Sequence, residues 1–268
     1  MASSRPKVMI ATPCYGGMVH AFYAESLLRT VQELGNEMTI VPKLVCGDSL
    51  VSRARTGLFA QFNADKSFTH LLFIDADEHW SPGLVKSLVQ SKHEMCGGVY
   101  PLKLTDWGNV KRVVKENPNI TEEDLQWASV RFVMNPIDRP SEMDSDGFIE
   151  VSNIGTGFLC ISRAAADKLV EAYSHLKCVS EMDMYAPYND YMYDVFGCYI
   201  EEGKGLLLSE DFAFCKRWRN IGGKVYAQSI FPIGHTGNTT YTGSLYKSLA
   251  RKWFTWRRPK STSGQNGK

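Results

Sequence analysis

Paired cysteines are absent: the seven are odd in number and none falls in a Cys-x-x-Cys pair. This argues against a disulfide framework and against a thiolate zinc site, and it favours a reducing compartment. Surplus charge is absent too. The 30 Lys and Arg face 29 Asp and Glu, leaving +1, so no global field draws the chain to nucleic acid or to a membrane. No stretch approaches the roughly 20 apolar residues of a membrane span. The run Val8-Met9-Ile10-Ala11 before Thr12-Pro13 is too short for the apolar region of a signal peptide. These absences read as a soluble, cytoplasmic protein. Neither an internal repeat nor a convincing linker interrupts the 268 residues, which read as a single two-part domain. What is present is apolar material for a substantial core, 44% hydrophobic and 12% aromatic.

Strand and helix patterns alternate through the first hundred residues. Residues 7–11 read as a buried strand, broken by Thr12-Pro13-Cys14-Tyr15-Gly16-Gly17, a tight loop where backbone can approach a ligand closely. Helical spacing at 20–34, a strand at 38–46 ending in Gly47-Asp48-Ser49, and a helix over about 50–62 follow. Leu71-Leu72-Phe73-Ile74 reads as a strand buried on both faces, Pro82 opens a helix, and 96–101 is a further short strand. Crossovers of this length predict an α/β fold with a parallel sheet. Residues 105–145 are polar and loop-like. The pattern resumes with strands at 149–154 and 157–162, a helix at about 163–175, an acidic motif on a helix within 206–223, and a strand at 224–233. From Ser261 the composition reads as disordered.

The strand at 71–74 runs into Asp75-Ala76-Asp77-Glu78. In open α/β sheets ligands bind beyond the carboxyl ends of strands, and Asp75 and Asp77, two apart, can point to one side. Two hard carboxylates there suit Mg²⁺ or Mn²⁺ with positions open for phosphate and water; a solvated acidic turn is the plainer alternative. Ser209-Glu210-Asp211-Phe212 opens a helix, where exposed N–H groups stabilise a carboxylate, although the same pattern is ordinary capping chemistry. Arg53 and Arg55 diverge by about 200° around a helix start, so only one can face the site. His235 lies in a Gly-flanked loop, Ile233-Gly234-His235-Thr236-Gly237, where a neutral imidazole suits Mn²⁺ or a structural role. Tyr185, Tyr188, Tyr191, Tyr193 and Tyr199 alternate with acids, either to stack on sugars or to pack a long excursion.

In this order, the Thr12-Pro13 loop, Ser52-Arg53-Ala54-Arg55, Asp75-Ala76-Asp77, Gly155-Thr156-Gly157-Phe158, Ser209-Glu210-Asp211-Phe212 and His235 resemble a GT-A glycosyltransferase, most similar to family 2, over about residues 7–243. A looser likeness is to short single-domain transferases of large DNA viruses and phages. The resemblance implies a Rossmann-like, mostly parallel sheet flanked by helices, with a nucleotide-binding half at about 7–104 and an acceptor half at about 105–243. It implies a nucleotide-diphosphate sugar as donor, a UDP-sugar favoured, held with Mn²⁺ or Mg²⁺. Asp75 and Asp77, with Ala76 between them, would carry the ion, and His235 would be its third protein ligand. Pro13, Tyr15 and Asp48 match positions that hold base and ribose, and Arg55, a better match than Arg53, would meet the phosphates. Asp211, beside Glu210, matches the base that takes the acceptor hydroxyl's proton in an inverting transfer. Gly155-Thr156-Gly157 matches a segment lining the acceptor side.

Residues 244–268 are basic and aromatic, with Leu245, Leu249, Trp253, Phe254 and Trp256 among Lys247, Arg251, Lys252, Arg257 and Arg258. A helix docked on the domain, an interfacial membrane helix and a nucleic-acid contact are its three readings. Near-neutral charge and the Tyr-rich stretch favour a glycan acceptor. Transfer to a hydroxymethylated DNA base is one alternative, and a non-catalytic nucleotide-sugar or glycan-binding module on the same scaffold is another. A nucleotidyltransferase would normally carry a cation in its first loop to grip a triphosphate, and residues 12–17 contain none.

Overall fold

The computed structural model describes residues 5–137 and 141–253. The amino-terminal part runs β1 (Lys7–Pro13), α1 (Ala21–Leu34), β2 (Thr39–Val45), α2 (Val51–Ala64), β3 (His70–Ile74), β4 (Glu78–His79), α3 (Pro82–Val89) and β5 (Met95–Gly98). Then come α4 (Trp107–Glu116), α5 (Glu122–Ala128), β6 (Met134–Pro136), β7 (Phe148–Ile154), β8 (Phe158–Ser162) and α6 (Arg163–Ala172). After two short 3₁₀ turns the chain ends in β9 (Tyr199–Glu201), β10 (Leu206–Leu208), α7 (Glu210–Asn220), β11 (Val225–Gln228), β12 (Ile233–Thr236), β13 (Thr240–Gly243) and α8 (Leu245–Ala250).

Among the described residues, eight strands form the central sheet in the order β2-β1-β3-β8-β5-β11-β7-β6. All run one way except β8 and β7. The sheet is therefore mostly parallel by direction but mixed, where crossover lengths alone predict a parallel one. Strand side chains alternate between two cores. Val8, Ile10, Leu72, Ile74 and Phe158 meet Tyr23 and Leu34 of α1 and Leu84 and Leu88 of α3. Met9, Ala11, Leu71, Phe73 and Leu159 meet Leu58, Phe59 and Phe62 of α2, Leu169 of α6, and Phe214 and Trp218 of α7. Burial of both faces is why these strands read as unbroken apolar runs.

The reversed strand β8 lies between β3 and β5 and begins where β3 ends, with Phe158 opposite Ile74. This brings Gly155-Thr156-Gly157 beside the acidic turn, and the Asp75 N–H donates to the Gly157 carbonyl at 2.8 Å. Directly after that turn, β4 pairs with β12 of a second sheet, β13-β12-β4, which sets Glu78 opposite His235.

Several boundaries differ from the sequence reading. Residues 105–145 contain α4, α5 and β6 as well as loop. Asp106 and Thr121 cap the two helices by accepting the N–H groups of Asn109 and Asp124, but the apolar cluster the pair shares is small, Val113 and Ala128 with Trp253. So little apolar surface leaves little periodicity to read. The strand at 224–233 is split into β11 and β12, and His235 sits within β12, not in a loop.

Among the described residues no helix is long and apolar enough to cross a membrane. Residues 245–253 lie against α5: the Lys247 ammonium stands 3.2 Å from the Trp127 ring centroid, and Arg251 pairs with Asp124 at 2.7 Å. Phe254, Trp256, Arg257, Arg258, Lys260, Lys268 and the stretch from Ser261 lie outside the described residues.

Candidate active site

The site comprises three charged clusters, two in the turn after β3 and one beyond the carboxyl end of β2. The strand β3 stops at Ile74, so Asp75-Ala76-Asp77 is a turn, closed by the Glu78 N–H donating to the Asp75 carbonyl at 3.2 Å. Strand alternation therefore does not govern the two aspartates, and each takes its own partners. The Ala76 carbonyl accepts the His20 N–H at 2.9 Å, which ties the turn to the start of α1.

Asp75 faces α2. The Arg55 guanidinium donates to Asp75 Oδ1 at 2.9 Å and to the Thr156 carbonyl at 3.3 Å, and it stands 3.7 Å from Glu210 Oε1. Burial would discharge Arg55, but Asp75 and Glu210 outweigh it and raise its pKa. The resemblance sends Arg55 to donor phosphates; the structure turns it inward, where it joins both acidic motifs. Glu210 is pushed up by burial and by Asp211 next to it.

Asp77 faces the second sheet. Lys103 donates to its Oδ2, and His235 Nε2 lies 3.5 Å from its Oδ1. His235 Nδ1 is 2.8 Å from the Pro101 carbonyl. A carbonyl only accepts, so Nδ1 carries a hydrogen and Nε2 is the ring nitrogen turned toward the carboxylate. Such a pair is held together by a proton on Nε2 or by a cation between the two. Burial would raise the pKa of Asp77, but His235 and Lys103 overcome it and bring it to about 2. Among the described residues no three or more His, Cys, Asp and Glu side chains converge on a metal position. A hard divalent ion that takes much of its shell from phosphate and water needs only one or two protein carboxylates. The Asp77–His235 pair, with its imidazole tautomer set by Pro101, fits that chemistry.

Beneath the turn, Glu78 is fully buried and neither carboxyl oxygen has a hydrogen-bond partner among the described residues. Burial, then Asp75 and Asp77, push its pKa well above the carboxylate range. Tyr100 lies beside it, and the Tyr100 hydroxyl accepts the Gly157 N–H at 3.2 Å. A Cβ at Gly155 would overlap Tyr100, and one at Gly157 would overlap Tyr100 and Glu78. These glycines therefore admit Tyr100 and Glu78 beneath the strand end, whereas the resemblance gave them to an acceptor. One outcome follows from linkage. A raised folded pKa means that stability is fully present below the unfolded value of 4.5 and falls as pH rises toward the folded one. Glu78→Gln is expected to melt higher than wild type near neutral pH, with the gap closing toward about pH 4.5. Melting curves across that range check it, and a pH-independent gap would contradict it.

The third cluster surrounds Asp48, whose side chain is fully buried. It accepts hydrogen bonds from Arg53 at 2.9–3.2 Å, the Leu50 N–H at 3.0 Å and the Tyr185 hydroxyl at 2.9 Å. These interactions hold its pKa below the usual range despite burial. Arg53 is thus a partner of Asp48, and Asp48 has both oxygens engaged, where the resemblance offered it to a nucleobase. Tyr185 is buried against Gly57, which has no room for a Cβ, and Tyr188 and Tyr193 pack on the same core. Above them, the loop after Pro13 leaves Tyr15 exposed at 66%.

At the head of α7, Asp211 Oδ1 accepts the Phe212 N–H at 2.7 Å and the Ser209 hydroxyl. Ser209, the residue preceding the helix, caps no backbone N–H itself. Sequence reasoning missed Lys103 and Tyr100, and gave Glu78 no role beyond the acidic run. Position at the carboxyl end of β5 was the one available signal for the first two.

No model of a known protein family matches the chain, and no curated protein sequence matches it. Among solved structures it is similar to A197 from STIV, with a TM-score of 0.46 and 16% identity over 87% of this chain and 86% of that one. It is also similar to UDP-glucose pyrophosphorylase complexed with UDP-glucose, with a TM-score of 0.37 and 10% identity over 92% of this chain and 98% of that one. Both likenesses are too distant to fix chemistry or ligand.

Proposed function

We propose that this chain is a metal-dependent, inverting glycosyltransferase of GT-A type, moving a sugar from a nucleotide-diphosphate donor, with UDP-sugars favoured, to a glycan hydroxyl. One observation carries the reading: Arg55 joins Asp75 of the acidic turn after β3 to Glu210 at the head of α7, linking the turn that would seat a cation to the helix start that bears Asp211. Asp77 and His235 would hold Mn²⁺ or Mg²⁺, and Asp75 would shape that seat from its pair with Arg55. Bound there, the ion supplies Lewis acidity toward the departing nucleoside diphosphate. The exposed Tyr15 ring and Pro13 offer the base a surface, with Asp48, Arg53 and Tyr185 as its rigid floor.

The transfer is a single displacement. Asp211 takes the proton of the acceptor hydroxyl as its oxygen attacks the anomeric carbon, and the bond from that carbon to the diphosphate breaks. Near-neutral net charge supports a polyhydroxyl acceptor. Of the seven cations in residues 244–268, Lys247 and Arg251 are engaged with Trp127 and Asp124, and four lie beyond Trp253, outside the described residues. A radiolabelled UDP-sugar panel offered to glycan acceptors and to hydroxymethyl-containing duplex DNA tests the assignment. Transfer to glycans that is insensitive to salt is expected; salt-sensitive transfer to the duplex would replace the acceptor, and no transfer or donor hydrolysis at all would remove the activity.

A further inference from the structure

We propose that Lys103 is the phosphate-directed cation of the donor site, paired with Asp77 in the free chain and exchanging that carboxylate for a diphosphate oxygen when a nucleotide binds. The inference rests on the nucleotide-diphosphate reading above and adds a residue that no sequence motif marks.

A diphosphate arriving at the end of β3 needs positive charge there, and the two arginines nearby are committed. Arg55 is buried and divided among Asp75, the Thr156 carbonyl and Glu210. Arg53 is held by Asp48 beyond the end of β2, two strands away from β3 in the sheet. Lys103 differs from both. Its side chain is 34% exposed, and Asp77 is its one hydrogen-bond partner among the described residues, so further ammonium hydrogens remain unused.

The backbone holds Lys103 in the right place. Tyr100, Pro101 and Lys103 follow β5, and within residues 100–103 the chain supports Gly157, orients His235 through the Pro101 carbonyl, and delivers an ammonium to Asp77. The aliphatic stem lies along Gly237, whose missing side chain leaves it space: a Cβ there would be 3.1 Å from Lys103 Cδ. A four-carbon stem over a glycine can swing without unpacking anything. An ion pair this exposed adds little net stability, whereas an ammonium on a phosphate oxygen makes a charge-assisted hydrogen bond. Exchange is therefore favoured once the nucleotide is present. It also leaves Asp77 Oδ2 open, so the free-state pair competes with any divalent ion for that carboxylate.

Calorimetry on the full chain tests this with wild type, Lys103→Met and Lys103→Arg, each titrated with UDP plus Mn²⁺, with UDP in EDTA, and with Mn²⁺ alone. Lys103→Met is expected to bind UDP roughly 10- to 100-fold more weakly, the range for a lost charge-assisted bond. Lys103→Arg should recover most of that loss, and Mn²⁺ alone should bind Lys103→Met more tightly than wild type. UDP affinity of Lys103→Met within about twofold of wild type would reduce Lys103 to a surface ion pair and overturn the proposal while the nucleotide reading stands. If wild type bound no UDP in either nucleotide arm, the UDP-donor reading would fall, and this one with it. Unchanged melting temperatures among the three proteins, expected for one exposed pair, separate a binding effect from misfolding.

Discussion

Replacing Asp211 with Asn is expected to lower turnover by roughly two to four orders of magnitude, while donor affinity and melting temperature stay near wild type. The geometry makes the substitution selective. Oδ1 accepts the Phe212 N–H and the Ser209 hydroxyl, and an amide oxygen can do both. Oδ2 has no hydrogen-bond partner among the described residues and is the oxygen available to take a proton. An amide cannot take it. Glu210 does not stand in for it, because it is turned toward Arg55 at 3.7 Å. Steady-state rates set beside calorimetric donor binding and melting curves check the outcome. An Asn variant that is stable and fully active would leave Asp211 with helix capping as its only role.

Asp77→Ala is expected to abolish the metal-dependent part of nucleotide binding and to remove activity with it. UDP affinity in Mn²⁺ should fall at least about tenfold, a change of roughly 1.4 kcal/mol, to the level that wild type shows in EDTA. The substitution deletes the one carboxylate that Lys103 and His235 share. The lost charge is partly exposed, so the fold should survive. Asp75→Ala is a poorer probe, because it would leave the Arg55 guanidinium buried beside Glu210 without its closest acid. Calorimetry of UDP into both proteins, with Mn²⁺ and with EDTA, decides the matter. Equal wild-type affinity in the two conditions would remove the ion from the proposed mechanism.

Glu78→Gln and Lys103→Met probe the same few ångströms from below and from the side. Glu78 lies under the acidic turn with unpartnered oxygens and reports through stability against pH. Lys103 lies at its open edge and reports through nucleotide affinity. Opposite readouts from adjacent residues would separate what supports the turn from what meets a ligand.

Much of the framework was legible in the residue order alone. Apolar runs at 8–11 and 71–74, bounded by turn residues, read as inner strands of a covered sheet, because a solvated face would impose alternation. Acids directly after such a run had to sit at a strand end, and Pro82 marked the start of α3. Tertiary contact alone decided the rest, for identifiable reasons. The reversed direction of β8 is invisible locally, because a buried strand has the same composition whichever way it runs. Its reversal is what sets Thr156 and Gly157 beside Asp75. The inward turn of Arg55 depends on Glu210, 155 residues further on, and an arginine's partners cannot be read from its neighbours in the chain. His235 is placed by its pairing with β4, and Lys103 by a loop whose sequence carries no motif. Strand identity is thus a property of local composition, while the charge pairing that builds the site comes from long-range register and from burial, which drives charges such as Arg55 and Asp48 to find partners.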